Sequence, residues 1–197
     1  MMMLCLLLSA CGGTESRMQE ALQFRTALLG APACSFTLEL TAQGENEAFA
    51  CTLACAVSQD GTTEVTVLSP EEIAGVSAAV GDGGTEVRYE GVRLDFGELS
   101  GSVTPVGAPG LLYAAWTGGY IAAAGQEDDA TLTRYLLGSG SDERQVDTWF
   151  DAAGIPVACE VVEGGVTVLQ CRITDWRLET ASDAISPDFA HIPADET

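Results

Sequence analysis

The cysteines are the residues of this sequence with the clearest chemistry. Five of them lie in the body of the 197-residue chain, at positions 34, 51, 55, 159 and 171. If one hairpin turns around residues 44–45, Cys34 faces Cys55. If another turns near residues 164–165, Cys159 faces Cys171 or lies one residue from it. Facing strand residues have Cβ atoms at disulfide distance, so both pairs are disulfide candidates. Cys51 would remain a thiol, because four strand residues place it about 13 Å from Cys55. The alternative is that all five are reduced.

Other groups suited to catalysis are sparse. The single histidine, His191, lies in an acidic, proline-containing stretch that lacks the rigid surroundings a catalytic or metal-binding imidazole needs. The absence of lysine excludes Schiff-base chemistry. The glycine-rich segments 81–86 and 138–143 have the composition of turns, not of phosphate loops. Residues 127–129 lack the alternating ligands of a calcium loop. We therefore expect no enzymatic activity, no metal site and no cofactor.

The charge balance limits the class of partner. All eight basic residues are arginines, against 29 acidic residues, which gives a net charge of −21. A nucleic-acid partner is excluded, because its phosphates require a basic patch. The same charge repels an anionic lipid surface, so attachment to a membrane would need another source of affinity. The length and the 47% content of hydrophobic residues predict one folded domain.

The residues near the N-terminus suggest how the chain could attach to a membrane. The apolar run of residues 1–10 ends in Leu8, Ser9 and Ala10, followed by Cys11. This pattern resembles the lipobox of bacterial lipoproteins. The resemblance implies a diacylglyceryl group on the Cys11 thiol, cleavage before it, and a lipid anchor at the outer face of the cytoplasmic membrane. Residues 1–10 would be a signal peptide, 11–15 the lipidated cysteine and a leash, 16–180 the domain, and 181–197 a disordered acidic tail. Export would permit disulfides.

Three segments are predicted to be helical. The spacing of Ser16 and Gln19 predicts a capping box that begins a helix over residues 16–29. The apolar face of this helix would comprise Met18, Ala21, Leu22, Phe24 and Leu29. A cap residue and a proline, Ser69 and Pro70, predict a helix of one or two turns. The apolar run 111–124 predicts a buried helix, since its fourteen residues fall short of the roughly 20 needed to cross a bilayer.

The remaining segments alternate apolar and polar residues, which is typical of strands in an antiparallel sheet. The predicted strands are 36–41, 49–57, 64–68, 76–80, 86–90, 92–96, 130–137, 145–151, 155–163 and 166–178. The first two would be joined by a turn at residues 44–46. Together with the helices, they predict an α+β fold with one antiparallel sheet of about ten strands and helices on one face.

The order of these elements resembles the LolA-like superfamily of lipoprotein and lipid carriers. The segments that carry the resemblance are TVLSPEEIAGVSAAV (66–80), VRYEGVRLDFGEL (87–99) and WFDAAGIPVACEVVEGGVTVLQCRITDWRLE (149–179). The resemblance implies a sheet curved into an incomplete barrel, or half-pipe, with helices on its concave side. The apolar concave face of such a sheet can hold acyl chains or an apolar segment of another protein.

The function predicted from this resemblance is binding of a lipid or acyl chain on the concave face. The residues expected to line the site are Phe36, Leu38, Leu40, Phe49, Leu53, Val65, Val67, Leu112, Trp116 and Tyr120. The alternative is a non-enzymatic lipoprotein that docks another protein of the cell envelope. Ordinary core packing would produce the same pattern of residues.

Overall fold

The computed structural model describes residues 12–43, 48–97 and 103–180. Its two α-helices and eleven strands follow one another in chain order: α1 Gly12–Gly30, β1 Ala33–Gln43, β2 Ala48–Ser58, β3 Thr63–Ser69, β4 Ser77–Gly81, β5 Gly84–Tyr89, β6 Val92–Phe96, α2 Ala108–Gly118, β7 Tyr120–Glu127, β8 Ala130–Leu137, β9 Arg144–Phe150, β10 Pro156–Glu163 and β11 Val166–Leu178. Two short 3₁₀ helices, Glu71–Ile73 and Gly140–Asp142, lie between strands. None of the helices in the described ranges is both long and apolar enough to cross a membrane.

All eleven strands form a single antiparallel sheet in the order β6-β5-β4-β3-β2-β1-β11-β10-β9-β8-β7. The first and last strands of the chain pair at its centre, where Leu38 lies opposite Ile173. On either side of that pair the strands follow one another as hairpins, so neighbours in sequence are neighbours in space. Because β6 and β7 lie at opposite ends of the order, the sheet is not closed and forms a half-pipe. The predicted fold class, an incomplete barrel with an antiparallel sheet, is confirmed.

The sheet has two chemically different faces. A row of directly paired residues runs across six strands from Thr133 through Thr148, Cys159, Cys171 and Leu40 to Cys51. Trp116 of α2 lies on this row and is fully buried. We call the face that α2 covers the inner face. Successive strand residues point to opposite sides, so Glu39 and Arg172 lie on the outer face.

One predicted helix is wrong in its second half. The segment 111–124 was expected to be helical throughout, but α2 ends at Gly118 and a strand, β7, begins at Tyr120. Gly119 is extended, and a Cβ at this position would lie 2.5 Å from the Ala115 carbonyl oxygen. The chain can therefore turn sharply out of α2 at this glycine. The ten predicted strands correspond to the other strands of the sheet, and β7 is the additional one.

The first helix also differs from its prediction. It begins at Gly12, so the segment expected to be a leash is helical from Gly12 to Glu15. Ser16 lies inside the helix and its hydroxyl donates to Glu20 Oε1 at 3.5 Å, so the predicted capping box does not form. The buried face carries Ala21 and Leu28, while the side chains of Leu22 and Leu29 are 44% and 45% exposed. Similarly, Ser69 ends β3 and Pro70 caps a 3₁₀ helix of three residues, Glu71–Ile73. The predicted lipobox, the turn at residues 44–46 and the acidic tail lie outside the described residues.

Candidate apolar ligand site

Eight of the ten residues expected to line a hydrophobic site lie in the packed core. Their exposed fraction is 7% or less: Phe36, Leu38, Leu40, Leu53, Val65, Val67, Leu112 and Trp116. The other two, Phe49 and Tyr120, are 43% and 71% exposed, and Tyr120 lies on the edge strand β7. The middle of the half-pipe is therefore filled by α2. The role of these ten residues in ligand binding stays a prediction.

An aromatic cluster forms the centre of this core. Trp116 of α2 contacts Phe24 of α1, Phe36 of β1 and Trp176 of β11, with ring centroids 5.6–6.1 Å apart. Phe24 also meets Phe150 at 4.8 Å in an edge-on arrangement. Aromatic pairs at these distances and angles add to the free energy of burial. The cluster thus joins both helices to the centre of the sheet.

Arg25 fixes α1 against the end of α2. Its guanidinium donates to the carbonyl oxygens of Trp116 at 2.7 Å and Gly119 at 2.5 Å. It also lies 5.8 Å from the ring centroid of Tyr135. The last carbonyls of a helix lack partners within the helix, and a cation there is favourable. Arg25 therefore holds α1 in place over β7 and β8, which α1 contacts.

A cavity of about 530 Å³ lies between α1 and the inner face of the sheet. On the α1 side, Ala21, Phe24 and Ala27 line it. Phe150 and Trp176 lie across from them. The complete set of lining residues also includes Arg17, Glu20, Gln23, Thr131, Thr133, Ala152, Ala153, Gly154, Ile155, Leu178 and Asp151. The volume lies within the range of known small-molecule sites, about 300–1,000 Å³.

A β-bulge brings Trp176 into this cavity. Strict alternation along β11 from the buried Ile173 would place residue 175 inside and Trp176 outside. Asp175 instead adopts a positive φ of 54°, and the pairing with β1 shifts register between Ser35 and Thr37. The extra residue reverses the alternation, as bulges do. Asp175 becomes exposed, and Trp176 packs on Phe36 at 5.5 Å between ring centroids.

Polar groups lie at two margins of the cavity. Arg17 and Glu20 form an ion pair of 2.8 Å on the first turns of α1. At the other margin, the Asp151 carboxylate accepts hydrogen bonds from the backbone N–H groups of Ala153 and Ile155 at 2.8 and 3.0 Å. These bonds set the turn between β9 and β10 that forms the cavity wall. The site therefore has an aromatic floor and a charged rim, an arrangement that suits a ligand with an apolar body and a polar end.

A larger hollow, of about 710 Å³, lies over the middle strands and has a different character. Its lining includes Glu39, Glu160 and Arg172, which belong to the outer face. This hollow is more open than the cavity under α1, and Trp149 is the one aromatic residue among the described residues that line it. Three aromatic residues, Phe24, Phe150 and Trp176, line the cavity under α1, which is therefore the better candidate for an apolar ligand.

The five cysteines of the domain are free and buried. Cys159 lies directly opposite Cys171, which is one of the two arrangements predicted. Cys34 lies opposite Val57, and Cys55 opposite Phe36, so the first predicted pair is two residues out of register. Burial raises the pKa of the Cys34, Cys55 and Cys159 thiols to about 12. These thiols are neutral at physiological pH and poorly reactive. Disulfide formation between either pair stays a prediction.

The acidic and histidine residues considered for metal binding or catalysis lie far apart in the chain. Within those ranges, no group of three or more histidine, cysteine, aspartate or glutamate side chains could hold a metal ion. The single histidine, His191, lies outside them. Gln126 and the segment 127–129 belong to the β7–β8 hairpin, where Asp128 has a positive φ of 51°. Glu127 ends β7, and Asp128 and Asp129 form the turn.

Comparison with known proteins gives likeness at the level of fold. No protein-family model matches the sequence, and none of the curated proteins matches it. Among solved structures, the chain is similar to a LolA superfamily protein from Nitrosomonas europaea, with 11% identity, a TM-score of 0.45, and coverage of 88% of this chain and 96% of that one. It is also similar to the lipoprotein LppX of Mycobacterium tuberculosis, with 13% identity, a TM-score of 0.43, and coverage of 82% and 95%. A third is LprF of Mycobacterium bovis, with 11% identity, a TM-score of 0.39, and coverage of 84% and 95%.

Proposed function

We propose that this chain is a non-enzymatic, exported lipoprotein, anchored through Cys11, whose domain binds an acyl chain in the cavity between α1 and the sheet. The observation that carries the proposal is the aromatic-floored cavity of about 530 Å³. Large apolar side chains normally close the space between a helix and a sheet to crystal-like density. Here the described residues of α1 contribute the alanines 21 and 27, Phe24 and three polar residues (Arg17, Glu20 and Gln23) to the lining, and no large aliphatic side chain.

The chemistry of the rim supports an amphiphilic ligand. Each methylene group that leaves water contributes about 0.8 kcal/mol, so the affinity for an acyl chain grows with its length. The carboxylate or ester end of such a ligand would lie at the rim, within reach of the Arg17 guanidinium, which is 35% exposed and already paired with Glu20. Arg17 lies six residues after Cys11 in the sequence. With Cys11 anchored, the rim would therefore lie close to the membrane surface.

The residues predicted from sequence contribute to this site indirectly. Trp116 and Phe36 pack against Trp176, which lines the cavity. Truncating either residue would remove the support of the cavity floor. The cavity itself is formed by Phe24, Phe150 and Trp176, and none of these was among the predicted ligand residues.

Binding of an acyl probe tests the proposal. The chain carrying Cys11→Ser, which blocks lipidation, would be purified without detergent and titrated with the fluorescent fatty acid cis-parinaric acid. We expect saturable binding of one probe per chain. Organic extraction and mass spectrometry of the unlabelled preparation should show a co-purifying acyl lipid.

Two substitutions on α1 localise the site. Ala27→Trp would place an indole ring at the open margin of the cavity, where the exposed Ala27 contributes to its lining, and should weaken probe binding at least tenfold by obstructing entry. Leu29→Trp is the matched control, because Leu29 is 45% exposed and does not line the cavity. It should leave the affinity within twofold of the parent. A protein that binds no probe, or one in which both substitutions act alike, would contradict the proposal and favour the docking of another envelope protein.

A further inference from the structure

The edge strand β6 combines apolar exposure with an unpaired backbone edge. In the described part of the chain, no strand lies beyond β6. Val92, Leu94 and Phe96 are 58%, 54% and 50% exposed. Leu94 pairs with Val87, and the same row continues through Ala78 and the buried Val65. These three side chains therefore extend the inner face beyond the part that the helices cover. An exposed apolar edge of this kind favours pairing with another strand.

The free hydrogen-bonding groups of β6 can be assigned from the hairpin that precedes it. Glu90 and Gly91 have φ values of 47° and 80°, which is typical of a type I′ turn. In a β-turn the first and fourth residues share a hydrogen bond, so Tyr89 and Val92 form a hydrogen-bonded pair. Hydrogen-bonded and non-hydrogen-bonded pairs alternate along an antiparallel ladder. The backbone groups of Arg93 and Asp95 consequently point away from β5, toward the open edge.

The outer face of this hairpin carries like charges directly opposite each other. Glu86 lies opposite Asp95, and Arg88 lies opposite Arg93. Like charges at such positions are destabilising. The diagonal ion pair between Arg93 and Glu86 relieves part of this repulsion. Arg93 and Asp95 are nevertheless 60% and 73% exposed, and the separation between Arg93 Nε and Asp95 Oδ1 is 3.4 Å. Both charges take part in ion pairs within the hairpin, yet their exposure leaves them accessible to a strand beyond β6.

We propose that β6 pairs antiparallel with β6 of a second copy of this chain, around a two-fold axis at Leu94. In this register Arg93 lies opposite Asp95 of the second copy, and Val92 lies opposite its Phe96. The two Arg93–Asp95 positions are the hydrogen-bonded pairs, which matches the outward direction of their backbone groups. Leu94 faces its own counterpart. The pairing is isologous, so the same backbone hydrogen-bonding groups of the two β6 strands pair with each other.

Charge selects this register among the neighbouring ones. A two-fold axis at Arg93 would place the two arginines opposite each other, and an axis at Asp95 would do the same for the two aspartates. With the axis at Leu94, Asp95 of the second copy lies beside the Arg88–Arg93 pair, and Arg93 of the second copy lies beside the Glu86–Asp95 pair. The net charge of −21 on each chain opposes association at long range. We therefore expect a weak dimer that strengthens as salt screens this repulsion.

Charge exchange across the axis tests the proposal without disturbing the fold. Sedimentation velocity of the Cys11→Ser chain should show a concentration-dependent dimer, with a higher dimer fraction in 0.5 M NaCl than in 0.05 M NaCl. Arg93→Asp should weaken the dimer at least tenfold, because two aspartates then face each other. Arg93→Asp combined with Asp95→Arg should restore association to within threefold of the parent. Within the hairpin, the combined change makes both cross-strand pairs oppositely charged, so unfolding of this variant would not explain a lost dimer.

A crosslink tests the position of the axis. Leu94→Cys places two thiols at facing, non-hydrogen-bonded positions, where Cβ atoms lie at disulfide distance. Mild oxidation should trap this variant as a covalent dimer. Tyr89→Cys is the matched control, because Tyr89 is 42% exposed but lies one strand inward, on β5. A monomer under all conditions, a dimer insensitive to Arg93→Asp, or a dimer not restored by the charge exchange would each overturn the proposal.

Discussion

The hydrogen bond between Trp116 and Thr148 offers a direct test of how the inner face is held together. The indole N–H of Trp116 donates to the Thr148 hydroxyl oxygen at 3.0 Å, and both residues are 0% exposed. Thr148→Val replaces the hydroxyl by a methyl group of similar volume, so the packing changes little. The substitution leaves a buried N–H donor without an acceptor. Such a donor costs about 1–3 kcal/mol of unfolding free energy.

Urea unfolding followed by circular dichroism measures the loss of free energy, and thermal unfolding followed by the same signal measures the shift in midpoint. In a domain of this size, 1 kcal/mol lowers the midpoint of thermal unfolding by about 2–4 °C, so we expect Thr148→Val to lower it by about 2–12 °C. The weak hydrogen bond from the Cys159 thiol to the same oxygen, at 3.5 Å, adds little. The Trp116 indole proton should also exchange faster with solvent in the variant.

Two further variants decide whether the lost hydrogen bond is the cause. Thr85 is 4% exposed, and its hydroxyl oxygen has no hydrogen-bond partner within the described residues. Thr85→Val should therefore leave stability unchanged or raise it. In a Trp116→Phe background, which lacks the N–H donor, Thr148→Val should cost less than about 0.5 kcal/mol. If Thr148→Val proves as harmless as Thr85→Val in the parent protein, the inferred role of this hydrogen bond is refuted.

Two other predictions concern buried ionisable groups. The thiols of Cys34, Cys55 and Cys159 ionise above pH 9.0 in the unfolded chain but only near pH 12 in the folded one. Their contribution to stability is therefore complete below pH 9 and is lost as the pH rises toward 12, by about 1.4 kcal/mol per pH unit for each thiol. Urea unfolding at pH 8 and pH 10 should show the loss, and replacing all three by alanine should reduce the slope. Arg134 holds Asp147 through two hydrogen bonds of 2.8 Å, and the Asp147 side chain is 9% exposed. Arg134→Met should cost about 1–2 kcal/mol, since Arg134 itself is partly exposed, and Asp147→Asn in that background should recover stability if the unpaired charge is the cause.

The strands were predictable because alternation encodes the two faces of a sheet residue by residue. In β2, for example, Leu53, Cys55 and Val57 are buried and alternate with less buried neighbours. Register was harder to predict. Moving the centre of a hairpin by one residue shifts every pair by two, so Cys34 faces Val57 and not Cys55. The tight turn at Gly164 and Gly165 places Cys159 within one residue of Cys171, as predicted, and a register shift between Val161 and Val162 brings the two cysteines directly opposite each other.

The helices were less predictable because their limits depend on contacts made elsewhere in the chain. An apolar run through residues 111–124 has the composition of a buried helix. Only the close approach of Gly119 to the Ala115 carbonyl shows where the helix ends. On α1, the buried face is selected by Arg25, which reaches two carbonyls at the end of α2. Those partners lie more than ninety residues away, and local periodicity contains no information about them.

The candidate site shows a further limit of the alternation pattern. An apolar side chain on the inner face has the same spacing whether a helix or a ligand covers it, so Leu38 and Trp116 could be core or lining. The structure shows that they are buried in the core under α2. Trp176, in contrast, reaches the cavity because a single residue, Asp175, with a φ of 54°, interrupts the alternation of β11. A bulge of this kind changes which side chains face inward without changing the composition of the strand. The floor of the cavity therefore depends on a backbone feature that the sequence pattern does not contain, which is why the helix-covered residues were predicted and the cavity residues were not.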